Sequence, residues 1–181
     1  LSEDDINESL DHLNHAFRAT NEYEGTTTDS EIQFALAVRD PNGQPTTGIN
    51  RVDGSLISGY EVNGYYDLNS DQIEQETGWD SNDYVNIWVV NNFFGKEIAG
   101  FANLANFSGF TANNIQNGIR IESEYLNTIA LIHEMGHFLG LYHTFEEGES
   151  GSCPSNDDCT ADGDRVCDTG PHIQDASCGA L

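Results

Sequence analysis

The chain has 181 residues, 37% of them hydrophobic and 10% aromatic, enough for one globular domain with a buried core. Its 31 acidic side chains face only 6 basic ones, giving a net charge of -25, and Lys96 is the sole lysine. Such a surface repels nucleic acid and anionic membranes, and no apolar run approaches the ~20 residues that span a bilayer.

The opening LSEDDINESL has neither the basic start nor the apolar run of a secretory signal. The chain therefore reads either as cytosolic or as already trimmed of a presequence. Over residues 3–19, Ile6, Leu10, Leu13 and Phe17 recur at helical spacing, which predicts an amphipathic helix capped by Ser2. His12 and His15 on this helix read as ordinary exposed residues. EIQFALAV has the β-branched and aromatic content of a strand, closed by the turn DPNGQP. DLNSDQIEQETGW predicts a helix ending near Gly78. YVNIWVVNNF reads as the strongest strand, apolar enough to be central in a sheet. GKEIAGFANLANF reads as an edge strand and GIRIESEYL as a short strand leading into a long helix over about 125–139. Asn7 and Asn106 lie in N-x-S sequons, which matter only in a host that glycosylates.

Cys153, Cys159, Cys167 and Cys178 all lie in the polar, Gly- and Asp-rich C-terminal segment. No pair is spaced C-x-x-C, so a structural zinc ribbon is not indicated. An even number in a loop-rich tail points to two disulfides and an oxidising compartment, with three pairings open.

The chemistry concentrates in LIHEMGHFLGLYHTF, residues 131–145. On a helix of 3.6 residues per turn, His133 and His137 project from one face and can grip one metal. Glu134, one step round, can reach a water at that metal without being a ligand. Gly140 permits a positive φ and a sharp turn that returns His143 as a third nitrogen. Three neutral nitrogens with one open position describe catalytic zinc, and Glu134 would act as general base in hydrolysing a peptide bond. A histidine-rich amphipathic helix is the plain alternative. It does not account for five matches to H-E-x-x-H-x-x-G-x-x-H behind the apolar run YLNTIALI.

That motif resembles the metzincin metallopeptidases. HEMGHFLGLYHTF is most similar to the pappalysin (cytophagalysin) family, as are IQFALAVRDPNGQPTTGINRV, WDSNDYVNIWVVNN and GDRVCDTGP in the same order. The resemblance implies an α+β fold in which a twisted mixed sheet and a long zinc-binding helix form an upper subdomain, residues 1–140. Residues 141–181 would form a small, irregular, disulfide-containing lower subdomain, the two making one catalytic domain. It also implies a secreted endopeptidase made as a zymogen, acting on proteins or peptides. Substrate would lie along an edge strand placed here at Gly100, Phe101, Ala102, Asn103 and Leu104. Calcium would be held in the stretch containing Asp164, Asp168 and Thr169, whose oxygens suit it. The implied disulfides are Cys153–Cys178 and Cys159–Cys167.

One departure stands out. The family carries a methionine turn beneath the zinc and a tyrosine after it, yet the only methionine, Met135, is inside the motif. The expectation is a front part of a longer catalytic domain. Two rival readings remain: a non-catalytic extracellular metal-binding module, against which the intact Glu134 argues, and a calcium-stabilised adhesion domain, which leaves the histidines unexplained. Oligomeric state and cleavage preference are not written in the sequence.

Overall fold

The computed structural model describes residues 1–104, 117–146, 148, 151–155, 157–170, 172–173 and 176–177. The chain divides into two compact units, Leu1–Phe138 and Leu139–Leu181. Asn106 and Cys178 lie outside the described residues.

In the first unit, α1 (Glu3–Phe17) begins where the sequence places it. Ser2 accepts the Asp5 N–H at 3.1 Å while Asp5 accepts the Ser2 N–H at 2.7 Å, a reciprocal cap with three acids at the positive helix end. His12 and His15 are half-buried rather than plainly exposed. His12 meets the Tyr23 hydroxyl at 2.8 Å and His15 meets the Asn21 amide at 3.0 Å, because a tight turn after α1 folds residues 21–23 back onto it.

The expected strand EIQFALAV is not one: among the described residues, 31–37 have no ladder partners. Asn14 of α1 takes the backbone groups of Phe34 in the middle of that stretch: its Oδ1 accepts the Phe34 N–H at 2.7 Å and its Nδ2 donates to the Phe34 carbonyl at 2.9 Å. The following turn does form, with Asp40 Oδ1 accepting from the N–H groups of Asn42 and Gln44 and a bridge from Arg39 to Pro45.

Two helices follow, the single turn α2 (Tyr60–Asn63) and α3 (Ser70–Thr77), which ends at Gly78. Then come β1 (Asn86–Val90), β2 (Gly100–Ala102), β3 (Gly118–Glu122) and α4 (Ile129–Phe138). The order among the described residues is β1-β3-β2, with β1 parallel to β3 and β2 antiparallel to it. The middle place therefore belongs to β3, not to the more apolar β1. Hydropathy measures how buried a strand is, and cannot say which of two buried strands has neighbours on both sides.

The two faces of β3 carry different contents. Ile119 and Ile121, both 0% exposed, share the face of Gly100 and Ala102, against which α4 packs with Leu131 and Met135 buried. Burying each such side chain contributes about 1.5–3 kcal/mol. Arg120 points the other way, into a cluster of Ile57, Tyr65, Ile73, Trp88, Val90 and Phe93 flanked by Tyr60 and Phe101. The helix predicted over 125–139 is shorter than expected: Ser123–Tyr125 form a tight turn, and Thr128 Oγ1 caps α4 by accepting the Ala130 N–H at 3.1 Å.

Among its described residues, the second unit has as strands the hairpin pair β4 (His172–Ile173) and β5 (Ala176–Ser177). Asp162 accepts the N–H groups of Asp157 and Asp158, and Arg165 lies on the Tyr142 ring at 4.4 Å. Cys159 is joined to Cys167, and Cys153 is also disulfide-bonded. No described helix is long and apolar enough to cross a membrane.

Candidate metal centre

The site is built on α4, which is positioned by its apolar side: with Leu131 and Met135 turned into the core, His133 and His137 face outward. Their Nε2 atoms are 3.0 Å apart and their rings are nearly perpendicular. Two nitrogens bound tetrahedrally to zinc at ~2.05 Å would be about 3.3 Å apart, so the pair is close to the ligating geometry.

Glu134 is 7% exposed, and among the described residues its Oε2 has no hydrogen-bond partner. Burial pushes its carboxyl pKa up, partly offset by His137 and by the Ala102 N–H, which donates to it. A buried acceptor left open beside two imidazoles is costly to maintain and chemically useful. It can receive a proton.

The Ala102 contact ties the helix to β2. The Asn103 N–H donates to the Gly118 carbonyl at 3.2 Å, and the Ala99 carbonyl accepts from Glu122 at 2.9 Å. Inward and outward groups alternate along an antiparallel strand, so the N–H and C=O of Gly100 and Ala102 face away from β3. Among the described residues β2 is an edge strand, as GKEIAGFANLANF predicted, although only Gly100–Ala102 are in the ladder. Asn103 and Leu104 continue it as exposed chain. Gly100 is a close-approach position, since a Cβ there would lie 2.7 Å from the Arg120 carbonyl oxygen and 3.4 Å from Glu134 Cγ.

His143 belongs to the second unit. Gly140 before it has φ +98°, the left-handed turn expected from the motif. The His143 ring stacks on Phe145 at 4.6 Å, and its Nδ1 lies 3.9 Å from a Glu146 carboxylate oxygen. Within the first unit, His133 and His137 are the two motif histidines that α4 brings together.

Of the residues assigned to calcium, Asp164 is buried and spends one oxygen on the Val166 N–H at 3.0 Å, lining a small pocket with Thr169 and Asp162. Asp168 is exposed and does not line it.

The peptidase M43 family model, described as pregnancy-associated plasma protein-A, matches residues 67–178, well over half of the chain. This chain belongs to the pappalysin family of metallopeptidases. Among solved structures it is similar to mature mirolysin of Tannerella forsythia in complex with a cleaved peptide, at 27% identity and a TM-score of 0.71. That match covers 93% of this chain and 64% of mirolysin. A glutamate-to-alanine variant of promirolysin from the same organism is 25% identical with a TM-score of 0.65, over 93% of this chain and 56% of that one. Mirolysin in complex with compound 9 is 26% identical with a TM-score of 0.62, over 84% of this chain and 62% of that one. The chain thus spans less than two thirds of the length of the solved relatives it matches. No curated protein sequence matches it.

Sequence reasoning missed Glu146 beside His143, and it missed Arg120, Glu74 and Tyr65, which form a buried polar cluster under β2. The only signal for the last group was an arginine between two isoleucines in GIRIE, which alternation assigns to the opposite face without saying that this face is buried.

Proposed function

We propose that this chain carries a zinc-dependent endopeptidase site, with His133, His137 and His143 as ligands and Glu134 as general base. The observation that carries the reading is the converging Nε2 pair on α4 beside a buried Glu134 oxygen that lacks a partner among the described residues. The donor set fits the metal: three imidazoles suit zinc with a position open, whereas a closed structural site would call for a fourth ligating side chain. The motif spacing and the Gly140 turn support His143 as the third ligand.

Zinc held there supplies Lewis acidity, polarising a carbonyl and bringing the pKa of water down to about 7. Glu134 takes the proton of the attacking water at Oε2 and passes it to the departing amine nitrogen, so no covalent acyl intermediate is needed. The peptide adds to β2 as a further strand, pairing with the outward groups of Gly100 and with the Ala102 carbonyl, the Ala102 N–H being held by Glu134, while Phe101, Asn103 and Leu104 flank it. The cleaved peptide in the mirolysin complex supports this substrate class. The same reading makes the protein secreted and derived from a zymogen, supported by the pro-form of the relative and by the disulfides. It includes calcium in the stretch of Asp164, Asp168 and Thr169, supported by the pocket that Asp164 and Thr169 line.

The test joins metal analysis to kinetics on a fluorogenic peptide. Glu134→Gln should keep about one zinc per chain and lose about 100- to 10,000-fold in turnover. His143→Ala should lose the zinc. Wild-type protein that binds zinc and cleaves nothing would instead support a non-catalytic metal module, and loss of zinc from Glu134→Gln would make that residue structural.

A further inference from the structure

Arg120 is a buried cation in the middle strand of a small sheet, 2% exposed. Its guanidinium lies over the Trp88 ring of β1 at 4.6 Å and the Phe101 ring of β2 at 5.5 Å. One edge is spent on Glu74 of α3: Nε donates to Oε1 at 2.8 Å and Nη2 reaches the same oxygen at 2.5 Å. The Tyr65 hydroxyl donates there as well. Nη1 donates to the Gly118 carbonyl at 3.0 Å and to Oδ1 of Asn103.

A buried ion pair of this kind contributes little net stability over an apolar pair of the same volume, because desolvating both charges offsets their attraction. What it does supply is position. β2 has only three residues, too few for its own ladder to fix it firmly. The cation engages it twice on one face, through the Phe101 ring and the Asn103 amide. Phe101 is further held by the rings of Phe93 at 5.4 Å and Tyr65 at 6.0 Å. On the opposite face lie Gly100 and Ala102, the residues next to Glu134. Movement of β2 relative to β3 would therefore change both the outward edge and the Ala102–Glu134 contact.

We propose that Arg120 is a positioning residue for peptide substrate: with Glu74 fixing its orientation, it clamps β2 through Phe101 and Asn103, so that the outward groups of Gly100 and the Ala102 carbonyl are presented in register with Glu134. This rests on the peptidase reading above. The side-chain requirement at Asn103 is specific. Arginine only donates, so the atom facing it must be an acceptor, and an aspartate would serve while an alanine would not.

Asn103 is exposed, so it can be changed without opening the core. Wild type, Asn103→Ala and Asn103→Asp are compared by zinc content, steady-state hydrolysis of a fluorogenic peptide, and amide hydrogen exchange of β2. Asn103→Ala should raise KM about tenfold with kcat within about twofold, the size of effect expected from one charge-assisted hydrogen bond. The amides of Phe101 and Asn103 should exchange about tenfold faster, at unchanged zinc content. Asn103→Asp should return both readouts to near wild type. Wild-type KM and exchange in Asn103→Ala, or an Asn103→Asp variant that behaves like Asn103→Ala, would overturn the clamp. If the wild-type protein hydrolyses no peptide, the peptidase reading fails, and with it the substrate role. The exchange data would then report only whether the clamp itself exists.

Discussion

Gly100→Ala tests how closely β2 and α4 must approach. An added Cβ would lie 2.7 Å from the Arg120 carbonyl oxygen, about 0.7 Å inside ordinary contact, with Glu134 Cγ behind it at 3.4 Å. The obstacle is backbone, which cannot rotate away as a flexible side chain could. Relief requires β2 to shift from β3 by most of an ångström at the residue paired with Ile121. Overpacking of this size costs about 1–3 kcal/mol, or a drop of roughly 2–12 °C in melting temperature for a chain of this length. The activity effect should be larger than the stability effect, since about 1 Å of misplacement at a site can cost about a hundredfold in rate. The assay is kcat/KM on a peptide alongside thermal melting, with zinc content measured to show that His133 and His137 are undisturbed. A variant that melts and turns over like wild type would refute the claim that β2 must sit this close to Glu134.

Asp5 sets a pH dependence at the other end of the unit. Its carboxyl is held below the usual 3.8, chiefly by the Ser2 N–H, so its stabilising effect is present above the unfolded pKa and is lost as pH falls through the lower folded value. Asp5→Ala should therefore melt below wild type near pH 7, with the difference closing in strong acid. An equal gap at both pH values would mean the cap does not depend on charge. In the second unit, replacing Cys159 and Cys167 by serine opens a loop closed across 8 residues, which should cost about 2–3 kcal/mol. Limited proteolysis of residues 151–170 should speed up accordingly, and unaltered cleavage would show that the local Asp turns hold this stretch without the bridge.

Some features were determined by the sequence alone because their causes lie within a few residues. The cap of α1 needs only Ser2 and Asp5. The end of α3 needs only Gly78. The pairing of His133 with His137 needs one helical turn, and the positive φ at Gly140 needs a residue without a Cβ. Other features were decided only by the tertiary structure, because their causes lie far apart in the chain. The apolar run at 31–38 had every local mark of a strand, yet the Phe34 backbone there is satisfied by a side chain twenty residues earlier, Asn14, which no local pattern announces. Among the described residues the more apolar β1 gave up the middle of the sheet to β3, since neighbours and not hydropathy make a strand central. Arg120 meets Glu74 across 46 residues of sequence, and no local pattern distinguishes an arginine that points into solvent from one that points into a cluster of Trp88, Tyr65 and Phe101. Motif chemistry is short-range and can be read from spacing; the placement of the edge strand beside it depends on long-range packing, which only the folded chain defines.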